Sequence, residues 1–111
     1  MVNNYIPKQG DIVFLDLNPT KGHEQCGKRP AIVISNNVFN KNTKMVIVCP
    51  ITSNVKEFPT HYNLKDSKNV KGSVLCEHIR SIDYDIRKLK YVERTNSEDF
   101  NNIKDLLEAC L

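Results

Sequence analysis

The sequence of 111 residues contains no apolar run close to the roughly 20 residues that a membrane-spanning helix needs. Its start, Met1 to Tyr5, lacks the apolar core of a signal peptide. Internal repeats, low-complexity tracts and linkers are missing as well. We therefore expect one domain, spanning residues 1–111 and located in the cytoplasm. Such a domain buries about two-thirds of its unfolded surface around a single core.

Metal-binding and covalent-catalysis motifs are scarce. The four cysteines are scattered, without a Cys-x-x-Cys pair or a histidine at ligand spacing, so we expect neither metal nor cofactor. No Ser–His–Asp set is evident. Cys49 and Cys76 fall in apolar runs and are predicted to be small buried hydrophobic residues. Cys26 falls in a polar loop and is expected to be an exposed thiol. The alternative is a nucleophile, but the sequence identifies no base that would activate it.

Charge is distributed unevenly along the chain. The net charge is +3, but residues 1–90 hold 14 Lys and Arg against 8 Asp and Glu, whereas residues 91–111 hold 2 against 5. A basic body attracts polyanions such as nucleic acid, although a surplus of this size also fits an ordinary solvated surface.

Hydrophobic patterning predicts a mainly β, α+β domain. Short β-branched and alternating runs indicate strands, and the most apolar one is expected to be central and to bulge or end at Pro50. Thr95 to Glu98 has a capping-box pattern, and apolar residues after it recur at helical spacing. We expect a small curved antiparallel sheet with a C-terminal amphipathic helix. The predicted strands are Asp11 to Leu17, Ala31 to Ser35, Met45 to Ile51, Thr60 to Leu64, Ser73 to Cys76 and Leu89 to Val92.

Residues 18–36 combine a polar loop with a short buried strand. Pro30 favours an extended conformation for Arg29, so its guanidinium stands where the loop meets the strand. That planar fork of donors matches a phosphate. A solvated arginine in an ordinary loop remains the alternative.

The chain resembles the MazF/PemK toxins of bacterial toxin–antitoxin pairs. The resemblance rests on an ordered set of segments covering nearly the whole chain: Gly10-Asp11, Asp16 to Gly22, Glu24-Gln25, Lys28 to Ser35, Val48 to Ser53, Gly72 to Leu75 and Ile79 to Asp83. It implies an SH3-like barrel and a homodimer whose surface grooves bind both RNA and an acidic, partly disordered antitoxin.

The resemblance also implies the site. Arg29 and Thr52 are assigned to catalysis, and Glu24 to a supporting or base role that varies among members. For Thr52, a hydroxyl that only caps the strand end is the alternative. The RNA-binding residues would be Thr20, Lys21, Gln25, Lys28, Ser53, Glu77 and His78.

The three histidines differ in what they predict. His78 stands where family members often carry an amide, so an imidazole there would alter base preference or pH dependence. His61 is expected to be exposed on a short strand. His23 is expected to be a solvated loop residue, with contact to RNA as the alternative.

These expectations point to a ribosome-independent, sequence-specific endoribonuclease toxin. It would cleave single-stranded RNA without metal and leave 2′,3′-cyclic phosphate and 5′-hydroxyl ends. The alternatives are a gyrase-poisoning toxin of the same barrel fold and a catalytically inactive RNA-binding module.

Overall fold

The computed structural model describes residues 5–16, 28–55 and 57–111. Within them, seven strands form one antiparallel sheet, and two α-helices and a 3₁₀ turn at Cys76–His78 complete the fold. The helices are α1 (Asn37–Thr43) and α2 (Ser97–Ala109). The strands are β1 (Asp11–Asp16), β2 (Lys28–Val33), β3 (Met45–Thr52), β4 (His61–Asn63), β5 (Ser73–Leu75), β6 (Arg80–Asp83) and β7 (Lys90–Arg94).

The strand order is β4-β5-β3-β2-β1-β7, and β6 pairs with β3 beyond the end of β5. The mainly β architecture with a C-terminal helix is as predicted. In the part of the chain that the structure describes, however, the path from β4 to β7 does not close into a ring, so the sheet is open rather than a complete barrel. None of the described helices is long and apolar enough to cross a membrane.

Strand β3 lies at the centre of the fold, as its apolar sequence predicts. Its side chains alternate between two buried clusters because successive residues of a strand point to opposite faces. Val46 and Val48 belong to one cluster, with Leu89 and Tyr84. Cys49 and Ile51 belong to the other, with Ile103 of α2. Burial on both faces explains why this strand reads as a continuous apolar run rather than as an alternating one.

Of the two outcomes expected at Pro50, a bulge or the end of the strand, the second is wrong. β3 continues to Thr52, and Pro50 forms the last pair with β2, opposite Ala31. Beyond it, Ile51 and Thr52 pair with β5 on the other side of β3. Pro50 therefore marks the point where β3 exchanges one partner strand for another, which is compatible with its missing N–H.

The C-terminal helix begins one residue later than the capping-box pattern indicates. Asn96, not Thr95, is the N-cap, and its side-chain oxygen accepts the N–H of Asp99 at 2.7 Å. The buried Asp99 carboxylate in turn accepts the hydroxyl of Tyr62 at 2.6 Å and the N–H of Lys65 at 3.3 Å. The first turn of α2 is thereby tied to the connection between β4 and β5.

Candidate active site

Register brings the two predicted catalytic residues to one end of the central strands. Ala31 of β2 pairs with Pro50 of β3. Two residues further along each strand, toward the same end, are Arg29 and Thr52. The pairing of β2 with β3 ends at Ala31 and Pro50, so Arg29 and Thr52 both lie just past the last pair, at the same end of the sheet. Arg29 is half-buried and pairs with Leu15 of β1.

Three neighbours fix the position of Thr52. The residue pairs with Ser73 of β5, and its Oγ1 accepts the N–H of Asn54 at 3.2 Å. Gly72 adopts φ of +140°, and a Cβ there would overlap the carbonyl group of Thr52. A glycine is therefore required for the close approach of the two backbones. Ser53, which follows Thr52, is exposed.

Glu77 and His78 lie on the 3₁₀ turn between β5 and β6. Because Ile51 pairs with Val74 and Val48 with Arg80, two residues of β3 stand opposite five on this side. The surplus residues form the turn, which projects from the sheet.

The Glu77 carboxylate is held by His61, the first residue of β4, and by Thr60, which precedes that strand. Oε1 accepts the Thr60 hydroxyl at 2.7 Å, and Oε2 lies 2.7 Å from His61 Nε2 and 3.9 Å from His78 Nε2. Burial opposes ionisation, but the hydrogen bonds from Thr60 and His61 outweigh it and lower the pKa of Glu77. An ionised carboxylate only accepts, so His61 Nε2 carries a proton.

His61 is consequently not the exposed side chain that we expected. Only 14% of its side chain is accessible, because it packs against Phe58 and binds Glu77. Sequence reasoning missed this contact, since the two partners are 16 residues apart and lie on different elements. The pairing of β4 with β5 places them together, and that register is not apparent from the residue pattern.

Lys28 lies beside a basic groove of about 490 Å³. The groove is formed where the end of β1 and the start of β2 meet the turn between β6 and β7. Arg87 of that turn donates to the backbone oxygen of Asp16 at 3.3 Å. The lining residues are Phe14, Leu15, Asp16, Lys28, Ile86, Arg87, Lys88 and Lys90. Four cations around one concave surface suit a polyanion.

Several predicted residues fall outside the described part of the chain. They are Thr20, Lys21, Glu24 and Gln25, together with His23 and Cys26. Their assignments stay predictions.

The remaining cysteines agree with the sequence interpretation where the structure describes them. Cys49 and Cys76 are buried, and Cys110 is exposed. Hydrogen bonding to Cys76, together with burial, raises the pKa of the Cys49 thiol, which makes it a poor nucleophile. Among the described residues, no group of three or more His, Cys, Asp and Glu side chains is arranged to hold a metal ion.

The fold is that of a known class of small bacterial toxins. MazF from Deinococcus radiodurans has a TM-score of 0.91 at 33% identity, covering 96% of this chain and 97% of that one. A MazE–MazF crystal structure from the same organism matches with a TM-score of 0.83 at 28% identity, covering 96% of each chain.

Sequence comparison gives the family. Residues 8–111 match the family described as PemK-like, MazF-like toxin of type II toxin-antitoxin system. The Endoribonuclease toxin MazF of Escherichia coli strain K12 is 38% identical over 82 residues, covering 74% of this chain and 73% of the relative. The chain belongs to the PemK/MazF toxin family, which confirms the resemblance noted from its motifs.

Proposed function

We propose that this toxin is a sequence-specific endoribonuclease that cleaves single-stranded RNA, independently of the ribosome and of metal ions. Its products would carry a 2′,3′-cyclic phosphate and a 5′-hydroxyl. Endoribonuclease activity follows from membership of the family and from relatives such as the Escherichia coli endoribonuclease toxin. The cleavage chemistry and the substrate class are our inference from the site.

The observation that supports this chemistry is the register that places Arg29 and Thr52 at the same end of β2 and β3. In the proposed reaction the 2′-oxygen attacks the adjacent phosphorus, the bond to the 5′-oxygen breaks, and the 5′-oxygen takes up a proton. Arg29 would stabilise negative charge on the phosphorane, and Thr52 would donate a hydrogen bond to it.

Arg29 is better described as a charge stabiliser than as a proton donor, because a guanidinium does not give up its proton in proteins. A base must still accept the proton of the 2′-hydroxyl. We assign this step to Glu24, whose carboxylate is the suitable group in the loop before Arg29.

Binding would extend from the scissile phosphate along the loop and the exposed turn. Thr20, Lys21 and Gln25 precede β2 in the sequence, and Lys28 is the first residue of that strand. Ser53, Glu77 and His78 lie on the side of β3 and the 3₁₀ turn. Unpaired bases expose edges and faces to such a surface, whereas a duplex hides them, so single-stranded RNA is the expected substrate.

The partners of the toxin are inferred from its family and charge. MazE–MazF complexes exist for a relative of 28% identity, which supports a cognate antitoxin for this chain. We expect that antitoxin to be MazE/PemI-like, acidic and partly disordered, because the body that it must cover is basic. We further propose that residues 1–111 form one toxin domain that acts in the cytoplasm as a homodimer.

The test is to incubate purified protein with a defined single-stranded RNA in excess EDTA. We expect cleavage to proceed, and end mapping to give cyclic phosphate and 5′-hydroxyl ends. Activity that disappears on chelation and returns with magnesium would contradict the metal-independent mechanism. RNA binding without cleavage would indicate an inactive binding module, and gyrase inhibition without either would indicate the gyrase poison. The Arg29→Ala protein, purified in parallel, controls for contaminating ribonuclease.

A further inference from the structure

Phe58 is an exposed aromatic ring in the connection that leads from Thr52 to β4. Its accessibility is 56%, which is high for a side chain of this size. The backbone around it is nevertheless ordered by hydrogen bonds. The N–H of His61 donates to the oxygen of Phe58 at 3.0 Å, and the N–H of Cys76 donates to the oxygen of Thr60 at 3.1 Å. The ring is thus presented to solvent from a fixed backbone.

The inner face of Phe58 rests on His61. The two ring centroids are 5.1 Å apart, with an angle of 40° between the planes. His61 is held in turn by Glu77, which also accepts the Thr60 hydroxyl. Glu77 therefore uses both of its oxygens on partners within the chain. This arrangement orients the imidazole, and the imidazole supports the phenyl ring.

The ring lies close to the candidate active site. Thr52 pairs with Ser73 of β5, and two residues further along that strand Leu75 pairs with His61. The backbones of Thr52 and His61 are therefore separated by two residues along a strand and two strand spacings, which is about 12 Å. His78, a predicted RNA-binding residue, approaches the same carboxylate that holds His61. Phe58 thus borders the surface on which the RNA is proposed to lie.

We propose that Phe58 is a stacking platform for one unpaired base next to the cleaved bond, and that Glu77 is a positioning residue that holds this platform through His61. The inference rests on the proposed function. It also changes the role of Glu77, which the family resemblance placed among the RNA-binding residues. Every nucleobase presents a π face, so such a platform adds affinity and favours bases that stack well.

An RNA base is the occupant that the surroundings favour. The ring lies in the connection that follows Thr52 and Ser53, and it packs on His61, which shares the Glu77 carboxylate with His78. A flat aromatic ring on an ordered backbone matches a nucleobase. A hydrophobic side chain of an antitoxin peptide is the competing occupant, and the experiment separates the two.

The probe is an RNA that contains the cut site, made uncleavable by a 2′-deoxy substitution at the scissile nucleotide, with 2-aminopurine placed at successive positions. Stacking quenches the fluorescence of 2-aminopurine. We expect quenching at one position beside the cleaved bond. Phe58→Ala should abolish this quenching and weaken RNA binding by about 5- to 150-fold, the range for losing one stacked base. Phe58→Trp should retain both.

Tyr91→Ala is the matched control. Tyr91 is an aromatic residue of similar accessibility, 53%, whose ring packs edge-on against Tyr5 at 6.1 Å. It lies on β7, beyond β1 in the sheet, and we expect its removal to leave quenching and affinity unchanged. Glu77→Ala should reduce quenching at the same position as Phe58→Ala while Phe58 is still present. Thermal melting of each variant verifies that it is folded.

The outcomes distinguish this inference from the proposed function. If wild-type protein neither cleaves nor binds the RNA, the proposed function fails. If wild-type protein cleaves while Phe58→Ala retains full quenching and affinity, only the platform is refuted. If Phe58→Ala binds RNA normally but loses affinity for the antitoxin, the ring serves the peptide and the inference is overturned.

Discussion

Thr52 makes a hydrogen bond that fixes its position and still leaves its hydroxyl proton available. Its Oγ1 accepts the N–H of Asn54 at 3.2 Å. A hydroxyl has two lone pairs and one donor proton, so the same group can hold the turn and also donate to a phosphate oxygen. The capping role and the catalytic role are therefore compatible at this residue.

We expect Thr52→Ala to lower the cleavage rate by well over tenfold, because a preorganised donor is removed from the phosphate. The loss should be smaller than that caused by removing a charged donor. Thr52→Ser keeps the hydroxyl and should stay within a few-fold of wild type. A serine variant as slow as the alanine variant would show that the methyl group and its packing, not the hydroxyl, are what the site needs.

Arg29→Ala should have the largest effect on catalysis. Loss of one preorganised electrostatic stabiliser typically costs about 10²–10³ in rate, and Arg29 provides the strong positive charge that we place at the scissile phosphate. The measurement is the single-turnover rate at saturating RNA, with folding checked because Arg29 lies within β2 and pairs with Leu15. Arg29→Lys keeps the charge but not the bidentate fork, so it should recover only part of the rate.

Lys28 provides the matched control for Arg29. It is exposed, directly precedes Arg29 in β2 and lines the basic groove. Lys28→Ala should weaken RNA binding and reduce its salt dependence while leaving the saturated rate largely intact. If Lys28→Ala were slow at saturation and Arg29→Ala were fast, the catalytic residue would have been assigned one position too late.

Some candidate site residues could be predicted from the sequence, whereas the contacts that support them could not. Arg29 is identifiable because Pro30 fixes the local backbone and because its guanidinium suits a phosphate. The support of Phe58 by His61 and Glu77 depends on pairing between segments far apart in the chain, and local patterns carry no such register. The placement of Glu24 stays a prediction.

At the scale of elements, the connection from β4 to β5 is held by two carboxylates from the end of the chain. Glu93 of β7 accepts the N–H groups of Lys68, Asn69 and Val70 at 2.8–2.9 Å. Asp99 of α2 binds the start of the same connection. Gly72, whose backbone approaches the carbonyl group of Thr52, is the last residue of this connection. These carboxylates therefore help to set the backbone beside a candidate catalytic residue.

The pH dependence of stability tests this bracing. Burial opposes ionisation of Glu93, but the three backbone hydrogen bonds outweigh it and lower its pKa from the ordinary 4.5. A carboxylate with a lowered pKa stabilises the fold above its unfolded pKa, and this contribution is lost as the pH falls through the folded value. Glu93→Gln should therefore lower Tm clearly at pH 7 and progressively less below about pH 4.5.

The control for this experiment is Glu108→Gln, which removes an exposed carboxylate from the last turn of α2. We expect it to change Tm little at either pH. A Tm difference for Glu93→Gln that stays constant from pH 7 to pH 3 would mean that the glutamine disturbs packing rather than removing a charge-dependent contact.

Elements with a continuous or strictly periodic apolar pattern were predictable from sequence. β3 and α2 were found because each buries a long apolar set, and the structure places them within one or two residues of the expected bounds. Strand boundaries that depend on pairing with distant segments could not be predicted. β2 starts at Lys28, three residues before its apolar run, because β1 continues to pair with it there. The change of partner at Pro50 likewise depends on β5, which comes more than 20 residues later.

At the scale of the whole molecule, part of the negative charge at the acidic end of the chain is engaged by hydrogen bonds within the fold. Residues 91–111 contain five Asp and Glu. Two of these, Glu93 and Asp99, are engaged by backbone N–H groups of the 65–70 connection. Three lysines and Arg87 surround the groove beside β1 and β2, where Arg87 also donates to the backbone oxygen of Asp16. A basic surface attracts polyanions, so the two proposed ligands, RNA and an acidic antitoxin, would compete for it.

We therefore expect the cognate antitoxin and RNA to exclude each other. With a labelled, uncleavable RNA, the apparent Kd should rise in proportion to the antitoxin concentration once the antitoxin exceeds its own Kd, as simple competition requires. Lys28→Ala should weaken both ligands, and the slope of log K against log salt for RNA should become shallower by about 0.7, because one phosphate is no longer neutralised. Glu108→Gln, which changes charge away from the basic groove, should alter neither affinity. A ternary complex in which each ligand keeps its affinity would rule out a shared surface, and inhibition would then have to act through the conformation of the toxin.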